Sequence, residues 1–449
     1  MKDLSELHRI ESVTQRQQAL STFLREQNLP VPADDVILDF GRIDPSLYAR
    51  GCESLVGHVA IPVGIVGPLT VHYREYRENA TGALVESEEG HTAAFPIPMA
   101  THEGGLNASL NRGVKAANRC GGITTYVLHA SMTRGTCYVF ETTEQAHRFS
   151  RWIETQTAPM QQWLADPDNP MRDVELGGIP VLSRHARLRN VRAYLLSNTC
   201  HTVFEYSTGD ACGQNMTTRN TYLLHSQFIL PRFHAETGIA PAHFFLEANT
   251  GGDKKPSHLY HTHGGHGRTA MASVLLTEEV LQATLKCSID DILKLREVGS
   301  EGAVLSGMVG IAVNPVNVIA AIFAATGQDL ACAGTSSMAI MSAAECPAGL
   351  QCTLRLPNLE VGTVGGGTAL PHQHRYLEIM RCAGAGGANR FAQVVTAAAL
   401  CLELSTAAAM AAAGSISFYT AHLERGGMRR AAPPVQVAPG FLEQIADRR

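Results

Sequence analysis

The sequence predicts an α+β fold with more than one hydrophobic core, and three observations point to it. The chain has 449 residues, too many for one ordinary core, so two or three domains are expected. Hydrophobic residues make up 45% and charged residues 17%, with 41 glycines and 21 prolines, which suits a compact, turn-rich catalyst and not a disordered chain. Between Gly122 and about Glu205 the pattern runs strand, strand, helix, strand, strand, the order of a compact α+β insert.

At the amino end, Leu4, Leu7 and Ile10, then Leu20, Phe23 and Leu24, fall at helical spacing up to Pro30 and Pro32, marking a helical lead-in. From His58 to Val71, β-branched residues mixed with Gly and Pro predict short strands and tight turns. A helix follows from about Glu103 to Gly113, with Leu106, Leu110 and Val114 facing inward. The insert reads as strands ITTYVLHASM and TCYVF, helix TEQAHRFSRWIETQ, and strands through GIPVLSRHARL and NVRAYLLS. Beyond it come a loop at Asn249 to Pro256, helices around Ser273 to Arg296 and Val318 to Thr326, a strand from Thr353 to Val361, and a last long helix from about Asn389 to Gly414. That helix is Ala-rich and apolar but carries Gln393 and Glu403, so it reads as a buried core helix and no membrane association is expected.

There are 36 Lys and Arg against 41 Asp and Glu, with no dense basic run, so nucleic acid is not an expected partner. The 11 cysteines contain no C-x-x-C pair and read as free thiols of a reducing compartment. MKDLSELHRIES lacks the apolar stretch of a secretory signal, and a cytoplasmic protein is expected.

In NTGGDKKPS, Gly251 and Gly252 let the backbone turn and Pro256 ends the turn, presenting Lys254 and Lys255 on a rigid loop. Either lysine can polarise a carbonyl or bind a carboxylate, with Asp253 orienting them; a solvated charged turn would read the same. Glu103, in PMATHEGGLNASLNRG, lies near a helix amino terminus whose dipole favours the charged carboxylate, so it is a capping group or an acid that must overcome that field. Asp329, in TGQDLACAG, follows an apolar helix ended by Gly327, a rim position that suits a site residue or a local turn. The amides of GTVGGGTALP can form an anion nest for phosphate or a plain tight turn, and the small residues of STGDACGQNM let a flat ligand approach the backbone.

His258, His261, His263 and His266 cluster without a Cys or carboxylate at fixed spacing, so no metal is expected. Neither a G-x-S-x-G elbow nor a Rossmann fingerprint appears.

In order along the chain, IPVGIVGPL, PMATHEGGLNASLNRG, MTRG, GDACGQNM, GGDKKP, NVIAAIFAATGQD and GTVGGGT resemble the motifs of the 3-hydroxy-3-methylglutaryl-coenzyme A (HMG-CoA) reductase family. The wording is like the class I branch in a soluble form, and the resemblance spans about Ile43 to Gly426. It implies an N-terminal helical segment (1–42), a large substrate- and CoA-binding catalytic domain (43–135 and 247–449) and an inserted ferredoxin-like NAD(P)-binding domain (136–246). The implied reaction takes HMG-CoA to mevalonate and CoA by two hydride transfers from NADPH, with NADH not excluded. A different acyl-CoA or carrier-protein thioester, or CoA binding without catalysis, is the alternative. The family works as dimers with shared sites, so a homodimer or larger assembly is implied.

By the same resemblance Glu103, Lys254, Asp329 and His422 are catalytic, and Arg134, Asp253, Lys255 and Asn317 hold the substrate. Asp210, Gly213, Gln214, Asn215, Met216, Gly365, Gly366 and Gly367 approach the cofactor, while Arg184, Arg187, Arg189 and Arg192 offer charge for a 2′-phosphate or simply coat the surface. The chemistry agrees with the residue types: hydride addition to a thioester builds an oxyanion that Lys254 stabilises, Asp329 keeps that lysine charged and aimed, and Glu103 is the candidate proton donor.

Some positions depart from the family pattern. His422, the candidate to protonate the departing thiolate, lies two residues farther past Ala413 and Gly414 than the family spacing, a turn of about 200° on a helix. Glu247 and Ala248 stand ahead of Asn249 where the family shows a serine that contacts the acyl group. Asn314 replaces a typical histidine, and only Lys294 and Arg296 lie near the place of an upstream carboxylate-binding lysine. These changes, from Glu247 and Ala248 to Lys294 and Arg296, touch recognition of the distal carboxylate.

Overall fold

The computed structural model describes residues 10, 13–28, 47, 51, 60–79, 82–412, 418, 419 and 422. Leu4, Leu7, Pro30, Pro32 and His58 of the expected elements lie outside the described residues, as does much of segment 1–42.

The helical period at Leu20, Phe23 and Leu24 forms α1 (Val13–Glu26), whose apolar face closes on Ile65, Ala100, Ala325, Tyr376 and Ile379. The Gly- and Pro-bearing stretch after it does not break into short strands. It forms one long strand, β1 (Val63–Glu78), which absorbs Gly67 and Pro68 as a register shift between Val66 and Leu69 while pairing with β2 (Leu84–Ala100). Helix α2 (Leu106–Arg119) buries Leu106, Leu110 and Val114.

The two strands expected next are a single one, β3 (Ile123–Val139). It leads to α3 (Thr143–Thr155), started by a capping box at Thr142 and Gln145, and to α4 (Thr157–Ala165). Of GIPVLSRHARL, Ile179–Pro180 form the short β5, paired with β4 (Glu175–Leu176), and the last two residues open β6 (Arg187–Leu196), which β7 (Thr199–Ser207) follows. The missing ladder has a side-chain substitute: Asn220 accepts the Ser183 amide at 2.8 Å and donates to the carbonyls of Ser183 and Ala186.

Helices α5 (Gln214–Leu223) and α6 (Leu230–Thr237) follow, joined by a π-helical segment, then β8 (His243–Phe245) and β9 (Gly267–Leu276). The helix expected from Ser273 is therefore a strand as far as Leu276, because Ser273 finds partners on both sides, Thr124 of β3 and Thr353. Helical structure begins at Glu278, and α7 (Ile289–Ser306) starts at a capping box of Ser288 and Asp291. Next in the described residues come α8 (Pro315–Thr326), β10 (Ile340–Cys346), β11 (Gly349–Leu359), α9 (Pro371–Ile379) and α10 (Ala388–Ala411).

The main sheet has the order β10-β11-β9-β3-β1-β2, with β7 and β8 joining β3 and β6 joining β7. Strand β3 serves two cores. Thr124–Ser131 pair with β9 beside the main core, and Met132–Val139 pair with β7 beside a second core that gathers residues from Tyr138 to Phe233. The expected boundary between residues 135 and 136 falls inside this strand.

Helix α10 runs through the main core, and the apolar window that is long enough for a membrane span is 78% buried. The two polar residues that the sequence singled out are satisfied: Gln393 bonds Thr125 and the Arg74 carbonyl, and Glu403 accepts the amides of Val313 and Asn314 at the start of α8. The described cysteines are free thiols.

Candidate active site

The loop after β8 is bent by left-handed backbone at Asn249, Gly252 and Lys254. A side chain at Gly252 would collide with the Tyr260 ring, so that position requires glycine on two counts. The loop is pressed against β3: the Ala248 amide donates to the Gly135 carbonyl at 2.9 Å, and the backbones of Gly135 and Gly251 approach so closely that a Cβ on either would strike the other. The MTRG and GGDKKP motifs are thus one contact.

From this loop Lys254 Nζ reaches Asp329 Oδ2 at 2.9 Å, with both side chains 43% exposed. Asp329 lies just past the left-handed Gly327 that ends α8, and its other oxygen accepts the Ala331 amide at 3.0 Å. The hydrogen bond to Asp329 raises the Lys254 pKa above the usual lysine value. Burial pushes the Asp329 carboxyl up, but the bonds from Lys254 and Ala331 outweigh it and leave it below the usual carboxylate value.

Arg134, on β3 and 7% exposed, meets two acids: Nη1 lies 2.6 Å from Glu247 and Nη2 lies 3.3 Å from Asp253. Lys255 Nζ lies 3.4 Å from the same Glu247 carboxylate. Glu103 sits on the other side of the site, exposed in the turn before α2, where its carboxylate accepts Asn317 Nδ2 at 2.8 Å. Asn317 belongs to the first turn of α8 and Asp329 lies beyond its last, and the helix rises about 14 Å between Asn317 and Thr326. One helix thus carries the Glu103 contact at one end and the Lys254 contact at the other. His422 is exposed, with Nδ1 2.8 Å from the Phe418 carbonyl and its ring 4.3 Å from the Phe418 ring; among the described contacts none links it to these residues.

The cofactor candidates divide. Gly365 and Gly366 are exposed, left-handed, and have nothing within 4 Å of where a Cβ would stand, which leaves open backbone for a ligand. Gly367 packs instead on Gly327. Gly213 caps α5 in a left-handed conformation, Asn215 is exposed, and Met216 packs against the second core. Asp210 is committed to the start of α10, accepting the amides of Gly386 at 2.8 Å and Ala388 at 3.0 Å. Of the four arginines, Arg184 pairs with Asp173, Arg189 and Arg192 face Glu205, and Arg187 is exposed.

Sequence reasoning missed a buried cluster behind the lysine loop. Glu360, at the end of β11, accepts Gln214 Nε2 at 2.9 Å, Asn358 Nδ2 at 3.0 Å and the Thr335 hydroxyl. Burial pushes its carboxyl up to about 7. His266 is the one fully buried member of the histidine cluster. Thr133 Oγ1 donates to the Gly251 carbonyl, so His266 Nδ1 is assigned as the donor to Thr133, leaving Nε2 to face Asp253 Oδ1 at 3.7 Å and Glu360 Oε2 at 3.9 Å. Asp253, His266 and Glu360 each bring one ligand-type atom within 4.8 Å of the others. The available signal was small: a lone acid just past the end of a strand and just before a glycine turn.

The chain matches the family model described as hydroxymethylglutaryl-coenzyme A reductase over residues 12–426. It is 32% identical over 416 residues to the 3-hydroxy-3-methylglutaryl-coenzyme A reductase of Pyrococcus abyssi, covering 90% of this chain and 93% of that one. To the protein of the same name from Aeropyrum pernix it is 32% identical over 399 residues, covering 88% and 85%. The class II 3-hydroxy-3-methylglutaryl-CoA reductase of Streptococcus pneumoniae, solved bound to NADPH in open conformations, has a TM-score of 0.64 at 15% identity over 90% of this chain and 98% of that one, a likeness of fold.

Proposed function

The chain belongs to the hydroxymethylglutaryl-coenzyme A reductase family, and on that premise we propose that it reduces HMG-CoA to mevalonate and CoA, NADPH supplying one hydride in each of two steps. What carries the residue assignment is the Lys254–Asp329 pair, an ammonium held charged and aimed by a carboxylate on an exposed rim. The first hydride turns the thioester carbonyl into an oxyanion beside Lys254. Collapse of that oxyanion breaks the carbon–sulfur bond and expels the CoA thiolate, which takes up a proton. The resulting aldehyde accepts the second hydride, and protonation of the alkoxide gives the alcohol. Lys254 stabilises the negative oxygen in both steps.

Glu103 is the proposed proton donor, and Arg134, Asp253, Lys255 and Asn317 the substrate-holding set. Gly365 and Gly366, with the Gly213 to Met216 turn, would hold the dinucleotide, and the unit 136–246 with its own core would be its domain. The reading includes a homodimer or larger assembly with shared sites, which would bring Glu103 to a lysine–aspartate pair that its own chain holds at the far end of α8. His422 as proton donor to the thiolate, and a cytoplasmic location, complete the proposal.

The test is the oxidation of NADPH, and separately NADH, with HMG-CoA, read alongside release of free thiol. Lys254→Ala is expected to lower turnover about a thousandfold with the fold retained. Near-normal turnover in that variant would remove the assigned role.

A further inference from the structure

Glu247 turns its carboxylate back onto the two cations that the substrate reading assigns to the acyl chain. Its Oε2 lies 2.6 Å from Arg134 Nη1, and its Oε1 lies 3.4 Å from Lys255 Nζ. The same Oε1 accepts the Asn249 amide at 2.9 Å, which ties the carboxylate to the loop that carries it. A carboxylate bridging a guanidinium and an ammonium is how an acidic acyl terminus would be bound, and here the protein supplies that group itself.

The charge count supports this. Asp253 takes the second nitrogen of Arg134 at 3.3 Å, so Arg134 and Lys255 face Glu247 and Asp253 and the patch is neutral before any ligand arrives. A substrate carboxylate entering the patch would have to displace Glu247 or lie beside it, and like-charge repulsion opposes both. An acyl chain that ends in an uncharged group meets no such penalty. The sequence departures at Asn314, Lys294 and Arg296 affect the same end of the substrate and add no cation to offset Glu247: Lys294 pairs with Glu297, Arg296 donates to the Ala343 carbonyl, and Asn314 bonds Thr406.

We infer that Glu247 is a specificity-determining residue whose carboxylate occupies the anion position between Arg134 and Lys255, so that the chain accepts acyl-CoA thioesters with an uncharged acyl terminus at least as readily as HMG-CoA. This rests on the reading that Arg134 and Lys255 hold the acyl end of the substrate. It is tested by comparing kcat/KM for HMG-CoA and for 3-hydroxy-3-methylbutanoyl-CoA, which lacks the distal carboxylate, in the wild type, Glu247→Ser and Glu247→Gln. The ratio of HMG-CoA to the uncharged thioester is expected to be about one or lower in the wild type and to rise about tenfold or more in both variants. A ratio that stays constant or falls in the variants overturns the inference.

A wild type that reduces neither thioester counts against the reductase reading, and the role of Glu247 is then read by calorimetry with free 3-hydroxy-3-methylglutarate. Tighter binding to Glu247→Gln than to the wild type supports the role, and equal or weaker binding overturns it.

Discussion

Glu360 sits in the dry interior with three hydrogen-bond donors and, among the described residues, only His266 as an ion-pair candidate. Burial holds its carboxyl near 7 against an ordinary 4.5. The folded chain therefore binds a proton there more tightly than the unfolded chain, and the stability this proton brings is present below the ordinary value and lost as pH rises through about 7. Glu360→Gln keeps a neutral group of the same shape. Its stability relative to the wild type should shift in its favour by about 3 kcal/mol between about pH 4 and about pH 8, measured by urea unfolding at each pH; a pH-independent difference would show that the carboxyl is ionised throughout. Lys254 and Asp329 could be singled out as candidates in the sequence because each sits in a glycine-bounded turn, and the resemblance to the family supplied their roles. Glu247 was visible as a departure from the family's serine but its partners were not, and Glu360 was not singled out at all, because those contacts are set by the register of β3 against a distant loop and by the closure of the sheet.

At the scale of elements, α10 shows how an acid is accommodated in an apolar helix. Glu403 is fully buried, and its two oxygens accept the Val313 and Asn314 amides at 2.7 and 2.6 Å, satisfying the start of α8, which has no side-chain cap of its own. Burial raises its pKa and the two amides oppose that rise. Glu403→Gln offers one acceptor where two amides need one each, and it should cost about 2 kcal/mol, seen as a lower urea midpoint with unchanged slope. This helix, the lead-in helix and α8 were legible from period and end signals. The helices read across Ser273 to Arg296 are present from Glu278 on, but Ser273 to Leu276 belong to a strand, since TAMASVLL is apolar or small at nearly every position and its strand character comes from β3 and β11 on either side.

At the scale of the whole molecule, both tryptophans, Trp152 and Trp163, pack against the second core, so fluorescence reports that core alone while circular dichroism reports the entire chain. With β3 paired in both cores, the two signals should change together on denaturation, at one midpoint; separate midpoints would mean that the cores unfold independently. The two-core organisation was legible from length and pattern, but the strand joining the cores was divided in two around Thr133 to Gly135, where Gly135 instead allows the lysine loop to lie close. A hinge cannot be placed where ladders grip the same backbone above and below. A circular permutation that cuts β3 between Ser131 and Arg134 would sever both cores at once, and it is expected to yield no folded protein by circular dichroism.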